Sequence, residues 1–291
     1  MNQFLELLRV SFRRLRLQRE IMRYLKNNAQ DNEKKEILAY LKYHPLTCIP
    51  YSFKKKYKKR NVTVYTDEVY SMKYILQDGK RLYLKSGWDE KQVQNYCYSL
   101  ITEQDKESPH LYETPTFHVQ EGDVVVDAGV AEGNFALSVV ERAKKLYLFE
   151  TDEMWIEALK VTFAPWKEKV VFVHKYVADN NDDNNISLDE FFGDEKIDFI
   201  KADIEGAERL LLKGAKNILS RQTPMKAVLC TYHRDDDADT LAQMLLENGF
   251  RTEFSKGYIF FLWDRLSPPY LRRGLIRGTK QHKNENSLLR H

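Results

Sequence analysis

The chain has 291 residues, 43% of them hydrophobic, enough for one large α/β domain with extensions. No run of about 18 apolar residues is present, which excludes a membrane-spanning helix. Three cysteines, Cys48, Cys97 and Cys230, without CxxC spacing exclude a disulfide framework and a zinc finger.

The net charge of +3 hides a segregation. Residues 1–60 hold 16 Lys and Arg against 5 acids, residues 61–264 hold 23 against 37, and residues 265–291 hold 7 against 1. Basic ends suit anionic lipid, nucleic acid or the acidic face of another subunit, and charge alone does not choose among them. Glu6 and Arg9 interrupt the apolar core a signal peptide needs, so the expected location is cytoplasmic.

In chain order, residues 1–26 repeat Leu5, Leu8, Phe12, Leu15 and Met22 at helical spacing among seven cations. Such a helix either lies on an anionic membrane surface or packs on the body or on a second copy, giving a homodimer; packing is the commoner fate. Asn27–Glu33 is a polar break, and a short helix is expected from Lys34 to Tyr43. The lysine run Lys54–Arg60 reads as a solvated loop; no nucleic-acid-binding module accompanies it, so no nucleic-acid partner is expected. Val62–Tyr65 alternates as a strand, and Met72–Leu76 with Arg81–Lys85 reads as a hairpin through Asp78-Gly79. Residues 61–121 are rich in aromatics, including Trp88 and Tyr96, and are expected on the substrate side of the following domain.

Residues 122–264 then alternate strand and helix. Strands are expected at Asp123–Asp127, Lys145–Glu150, Val170–His174, Ile197–Ala202 and Ala227–Thr231. Helices are expected at Asn134–Ala143, Glu153–Ala164, Leu188–Phe192, Ala207–Ser220 and Asp236–Glu247. A final pair, Phe250–Phe254 and Tyr258–Trp263, closes the domain, and residues 265–291 read as a basic tail. The expected fold is Rossmann-like: a mostly parallel seven-stranded sheet with one antiparallel strand, binding ligands at the carboxyl ends of its strands.

The organising stretch is Val124–Gly133, VVVDAGVAEG, a strand, a glycine turn and a helix start. Glycine lets backbone approach a ligand closely, and the helix start offers unpaired N–H groups. Only Gly129 and Gly133 are present, so the dinucleotide pattern G-x-G-x-x-G is absent and a nicotinamide dehydrogenase is disfavoured. Asp127 precedes the turn, and Glu150 ends the next apolar run, where an acid holds a ribose hydroxyl pair. Carboxylates at this turn suit a cationic nucleoside such as S-adenosylmethionine. The competing reading is a structural βα turn without a ligand.

Ile197–Ala215, IDFIKADIEGAERLLLKGA, resembles the signature of the FkbM family of S-adenosylmethionine-dependent methyltransferases, matching at Lys201, Asp203, Glu205, Gly206, Glu208 and Leu212–Ala215. VVVDAGVAEGNFALS is similar to the family's glycine loop, except that Val130-Ala131 replaces Ala-Asn, and Phe149–Thr151 is similar to its Phe-Glu-Pro. The downstream CTYHRDDDADTLAQMLLENGF is similar to its Tyr-His strand end and helix. The resemblance implies that Asp127, Gly129 and Gly133 surround the methionine part of S-adenosylmethionine and that Glu150 holds the ribose. It further implies that Val177 and Ala178 flank the adenine, with Asp179 near its amino group or solvated, and that Asp203 lies beside the sulfonium.

Methyl transfer needs alignment and, for a hydroxyl, removal of a proton. His233, Asp203 and Glu205 are the expected catalytic residues, with His233 the preferred base. Asp203 and Glu205 compete as N-caps of the following helix, and with His233 they can be read as a divalent-metal set; the primary reading assigns no metal. The implied acceptor is a sugar hydroxyl of a glycan or lipid-linked saccharide, a step of polysaccharide biosynthesis, which the basic first helix would suit at an inner membrane surface. Ser267–Tyr270, SPPY, looks like a nucleic-acid amino-methyltransferase tetrapeptide but stands after the last strand and reads as a turn. A non-catalytic scaffold remains the other alternative.

Overall fold

A computed structural model describes the backbone of residues 2–29, 31–262 and 266–281, with side chains from residue 13 on within those ranges. The N-terminal part holds α1 (Asn2–Asn28), α2 (Asn32–Leu41), a three-stranded antiparallel sheet of β1 (Tyr65–Asp67), β2 (Met72–Gln77) and β3 (Lys80–Tyr83), and α3 (Glu90–Glu103). The alternating part follows as β4 (Val124–Ala128), α4 (Asn134–Val139), β5 (Lys145–Phe149), α5 (Glu153–Thr162) and β6 (Val170–Val173). It continues with a small parallel pair, β7 (Tyr176–Val177) and β8 (Asn185–Ile186), then α6 (Leu188–Phe192), β9 (Phe199–Ala202), α7 (Glu208–Gly214), α8 (Lys216–Ser220), β10 (Met225–Cys230) and α9 (Asp237–Glu247). The last elements are β11 (Arg251–Phe254), β12 (Tyr258–Ile259), β13 (Arg272–Arg273) and β14 (Leu275–Lys280).

Seven strands form the central sheet in the order β11-β14-β10-β9-β4-β5-β6, with β14 antiparallel to both neighbours. Every residue of β4 and β9 is buried, as both faces of a covered parallel sheet require. On one face Val125, Phe199 and Val228 pack with α4, α5, α3 and the hairpin. On the other, Val126, Ile200, Leu229 and Ile276 meet α6 to α9.

The seventh strand departs from expectation. Phe254 does not pair with Tyr258; β11 pairs with β14, inside the stretch read as a basic tail, and β12 pairs with β13. Trp263 and residues 282–291 lie outside the described residues. A cationic segment serves as an interior strand because backbone carbonyls satisfy its charges. Arg277 donates to Leu111 O at 2.6 Å, and Lys280 donates to Leu219 O and Arg221 O. The connection between β11 and β14 builds a third core, where Tyr258, Phe260 and Leu271 pack on Ile21, Leu25, Ile37 and Leu41.

That core settles which face of α1 is packed. Ile21 and Leu25 are fully buried, whereas Leu15, one of the expected apolar stripe, is 50% exposed. Leu5, Leu8 and Phe12 have side chains outside the described ones. Among the described residues no helix is long and apolar enough to cross a membrane.

Two helices also differ. The periodicity of Val93 and Cys97, and the capping box in which Asp89 accepts from Gln92 N while Gln92 accepts from Asp89 N, make α3, which the aromatic density of this region obscured. The helix expected over Ala207–Ser220 breaks after Gly214, where a Cβ would lie 2.0 Å from Ala178 O.

Because β14 lies between two strands, Ile276→Ala is expected to cost about 2–5 kcal/mol, read as a fall in the urea midpoint. An unchanged midpoint would return this segment to the status of a peripheral tail.

Candidate active site

β4 and β9 are parallel neighbours in which Asp127 and Lys201 face each other across the ladder. Lys201 Nζ lies 2.9 Å from Asp127 Oδ1 and donates to Gly129 O at 2.7 Å. Burial pushes the Asp127 carboxyl up and works against the Lys201 ammonium, but Asp127 and Asp203 outweigh it and hold Lys201 charged. Asp127 is fully buried, and its Oδ2 has no hydrogen-bond partner among the described residues. It therefore lies beneath the strand tips as the counter-ion of Lys201, where the sequence placed it around a ligand.

The two glycines of the turn differ. Gly129 has φ +73°, and a Cβ there would lie 1.9 Å from Asp203 O, so only glycine lets the tips of β4 and β9 approach. Gly133 precedes α4 with φ +86° and packs against Leu159 and Phe163.

Above these tips opens a cleft of about 380 Å³ lined by Gly129, Ala131, Glu150, Asp152, Trp155, Tyr176, Val177, Asp203, Ile204 and Glu205, among others. Of the expected cofactor residues it brings together Gly129, Glu150, Val177 and Asp203; Asp127, Gly133, Ala178 and Asp179 do not line it. Trp155 on α5, Tyr176 on β7 and Ile204 just after β9 also line it and were missed by sequence reasoning. Glu150 accepts from Ala131 N at 2.8 Å through one oxygen and from Thr151 N and Asp152 N through the other. Three backbone donors leave one of about four acceptor positions for a further hydroxyl.

Asp203 joins the cleft to a second cluster. Tyr112 donates to its Oδ2 at 2.9 Å and Tyr232 to its Oδ1 at 3.1 Å. His110 Nε2 and His233 Nε2 each lie 3.5 Å away. Burial alone would raise the Asp203 carboxyl, but His110, Lys201 and His233 hold it well below the usual range, so it stands as an anion. The Tyr112 and Tyr232 hydroxyls are pushed up by burial and by Asp203, and so remain neutral donors.

His233 does not line the cleft; it stands behind Asp203 with its side chain 6% exposed. Its Nδ1 lies 2.9 Å from Oε1 of the fully buried Glu208, which also accepts from Ile204 N. Burial lowers the imidazole, yet Glu208 and Asp203 raise it above the ordinary histidine value. Nδ1 thus faces Glu208 and Nε2 faces Asp203, so both ring nitrogens stand against carboxylates. Glu208, not Asp203 or Glu205, uses a carboxylate on the backbone before α7; that helix has no side-chain cap, and Glu205 is exposed at the cleft rim with φ +52°. The carboxylates and His233 expected as a metal set separate accordingly: Asp203, Glu208 and His233 cluster closely enough to hold an ion, without Glu205.

His110 and Tyr112, from the loop before β4, are polar residues near the site that sequence reasoning missed, because neither lies in the alternating pattern. Glu132, inside the glycine turn, is a third. It is buried, accepts from Tyr96 OH at 2.6 Å, and burial raises its carboxyl to about 7.

With this geometry in hand, comparison with known proteins gives a family. Residues 132–252 match the family model described as Methyltransferase FkbM domain. This match spans less than half of the chain and includes the Ile197–Ala215 signature, in keeping with the resemblance read there. A search of curated proteins found no match. Among solved structures, methyltransferase FkbM from Methylobacillus flagellatus KT is similar at 18% identity and a TM-score of 0.46, over 66% of this chain and 55% of that one. An rRNA methylase from Streptococcus thermophilus is similar at 16% identity and a TM-score of 0.38, over 56% of this chain and 90% of its own. SMU.1697c from Streptococcus mutans, solved in complex with SAH, stands at 15% identity and a TM-score of 0.39, over 56% and 91%. This chain spans only about half of the Methylobacillus protein's length.

Two outcomes test this site. Lys201→Met leaves Asp127 buried without a counter-ion and is expected to cost about 3–5 kcal/mol in chemical denaturation, much of it recovered by adding Asp127→Asn. Equal losses in the single and double variants would mean that the pair is not coupled. Glu208→Gln removes the charge that raises His233, so the His233 midpoint in an NMR titration is expected to move to lower pH; an unmoved midpoint would break the dyad.

Proposed function

We propose that this chain is a methyltransferase that uses S-adenosylmethionine to methylate a hydroxyl, on a sugar of a glycan or lipid-linked saccharide. The observation that carries the reading is Asp203: one anion at the tip of β9 that both lines the cleft and anchors the Tyr112, Tyr232, His110 and His233 cluster. The residues fit the cofactor. A cleft rimmed by the carboxylates of Glu150, Asp152, Asp203 and Glu205 against Lys175 alone favours a cation, and Val177 and Ile204 offer apolar flanks for a base.

When bound, S-adenosylmethionine supplies an electrophilic methyl group. Glu150 would hold the ribose through its remaining acceptor position, and Val177 and Ile204 would flank the adenine. Asp203, held ionised by His110, Lys201 and His233, favours positive charge beside it and is a weak proton acceptor because its carboxyl lies well below the usual range. His233 is the base in this reading although it stands behind Asp203: Glu208 lies against Nδ1, and Nε2, 3.5 Å from Asp203 Oδ1, is the end point for the proton of an acceptor hydroxyl bound at Asp203. Because its pKa is raised, the neutral imidazole is populated only above the ordinary histidine range, which sets the acid limb of activity there. The sugar acceptor rests on the family resemblance, and the cytoplasmic location on the composition of the chain.

Calorimetry with S-adenosylhomocysteine is the direct test. A measurable heat is expected from the intact protein, with affinity reduced about tenfold in Glu150→Ala by loss of a charge-assisted hydrogen bond. Absence of heat in the intact protein would overturn the reading.

A further inference from the structure

The face of α1 opposite its packed side carries five cations against one acid, Glu20, among the described residues. Arg13, Arg16, Arg19, Arg23 and Lys26 are all exposed, and at helical rotation they fall within roughly 140° of arc along about 20 Å. The helix cannot turn to hide them. Ile21 and Leu25 are fully buried in the third core, and Gln18 is tied by its amide to Leu41 O and His44 O and accepts from Leu46 N. Among the described residues only Arg16 of the row is ion-paired, to Glu20, with the Arg16 side chain 85% exposed. Beside the row, Leu15 projects half exposed.

We propose that this face docks the protein on an anionic lipid bilayer. The contact is electrostatic and peripheral, and differs from an amphipathic helix buried by its apolar face, since that face is already occupied by the protein's own core. A straight row of cations matches a flat, laterally uniform field of anionic headgroups, in which each cation contributes without a defined partner. Leu15 offers an apolar contact at the same edge. Nothing on this face suits single-stranded nucleic acid, whose binding relies on aromatic stacking; Tyr24 of the same helix packs instead against Tyr270, ring centroids 5.3 Å apart. This inference is independent of the methyl-transfer reading.

The test is co-sedimentation of the full chain with vesicles of equal parts phosphatidylcholine and phosphatidylglycerol, against vesicles of phosphatidylcholine alone. Binding is expected only to the acidic vesicles and is expected to be lost at high salt. The triple substitution Arg19→Gln, Arg23→Gln, Lys26→Gln is expected to weaken it on the order of 100-fold. Point substitutions are chosen because deleting the helix would remove Ile21 and Leu25 from the core; an unchanged melting temperature confirms that the variant folds. No sedimentation with acidic vesicles, equal sedimentation of the triple variant, or tighter binding to polyuridylate than to vesicles would each overturn the proposal.

Discussion

The Asp127–Lys201 ion pair is the interaction on which the site depends. It joins the tips of two adjacent parallel strands beneath the cleft, and Lys201 reaches on to the carbonyl of Gly129, so the turn and the β9 tip are held together. A buried ion pair stabilises little on balance, because desolvation offsets much of the Coulomb attraction. What it can fix is position. Asp203 follows Lys201 by two residues, and its backbone approaches Gly129 so closely that a single methyl group would intrude. Lys201 also contributes to keeping Asp203 ionised. One cation therefore sets the shape of the turn and the charge state of the anion above it.

Glu208 and His233 form a second such device a turn away. Glu208 is fully buried, with one oxygen shared between Ile204 N and His233 and the other without a hydrogen-bond partner among the described residues. An uncompensated buried carboxylate is costly, and a nearby imidazolium offsets it; this is why burial does not lower His233 here. The two carboxylates differ accordingly: Asp203 accepts from two tyrosine hydroxyls and is held an anion by His110, Lys201 and His233, while Glu208 stands against His233.

The alternating region was legible because its signals are local. Apolar runs, glycine turns and helical periodicity placed β4, β5, β6, β9 and β10 to within a few residues. What escaped was set by distant partners. Asp127 reads as a ligand carboxylate until Lys201, opposite it in the ladder, is seen to claim it. β14 reads as a basic tail because the carbonyls that satisfy Arg277 and Lys280 belong to Leu111, Leu219 and Arg221. The packed face of α1 could not be chosen from periodicity, since its partner is the connection between β11 and β14, more than 200 residues away in sequence. His110 and Tyr112 precede the domain and announce themselves by no pattern.

Those same long-range contacts explain why the extensions matter to the chemistry. Arg277, in the last strand, donates to the carbonyls of Leu111 and Tyr112 and so fixes the segment that points Tyr112 at Asp203. Ser255, just after β11, donates to Pro109 O from the same segment, and its Oγ accepts from Leu275 N. A loop that precedes the first strand of the sheet is thereby clamped by the strand that closes it. The donors around Asp203 come from this loop and from the end of β10, and neither can shift without disturbing an interior strand. Closure of the sheet and assembly of the polar cluster are thus linked, and the six-residue antiparallel strand β14 that the sequence concealed is the element that couples them.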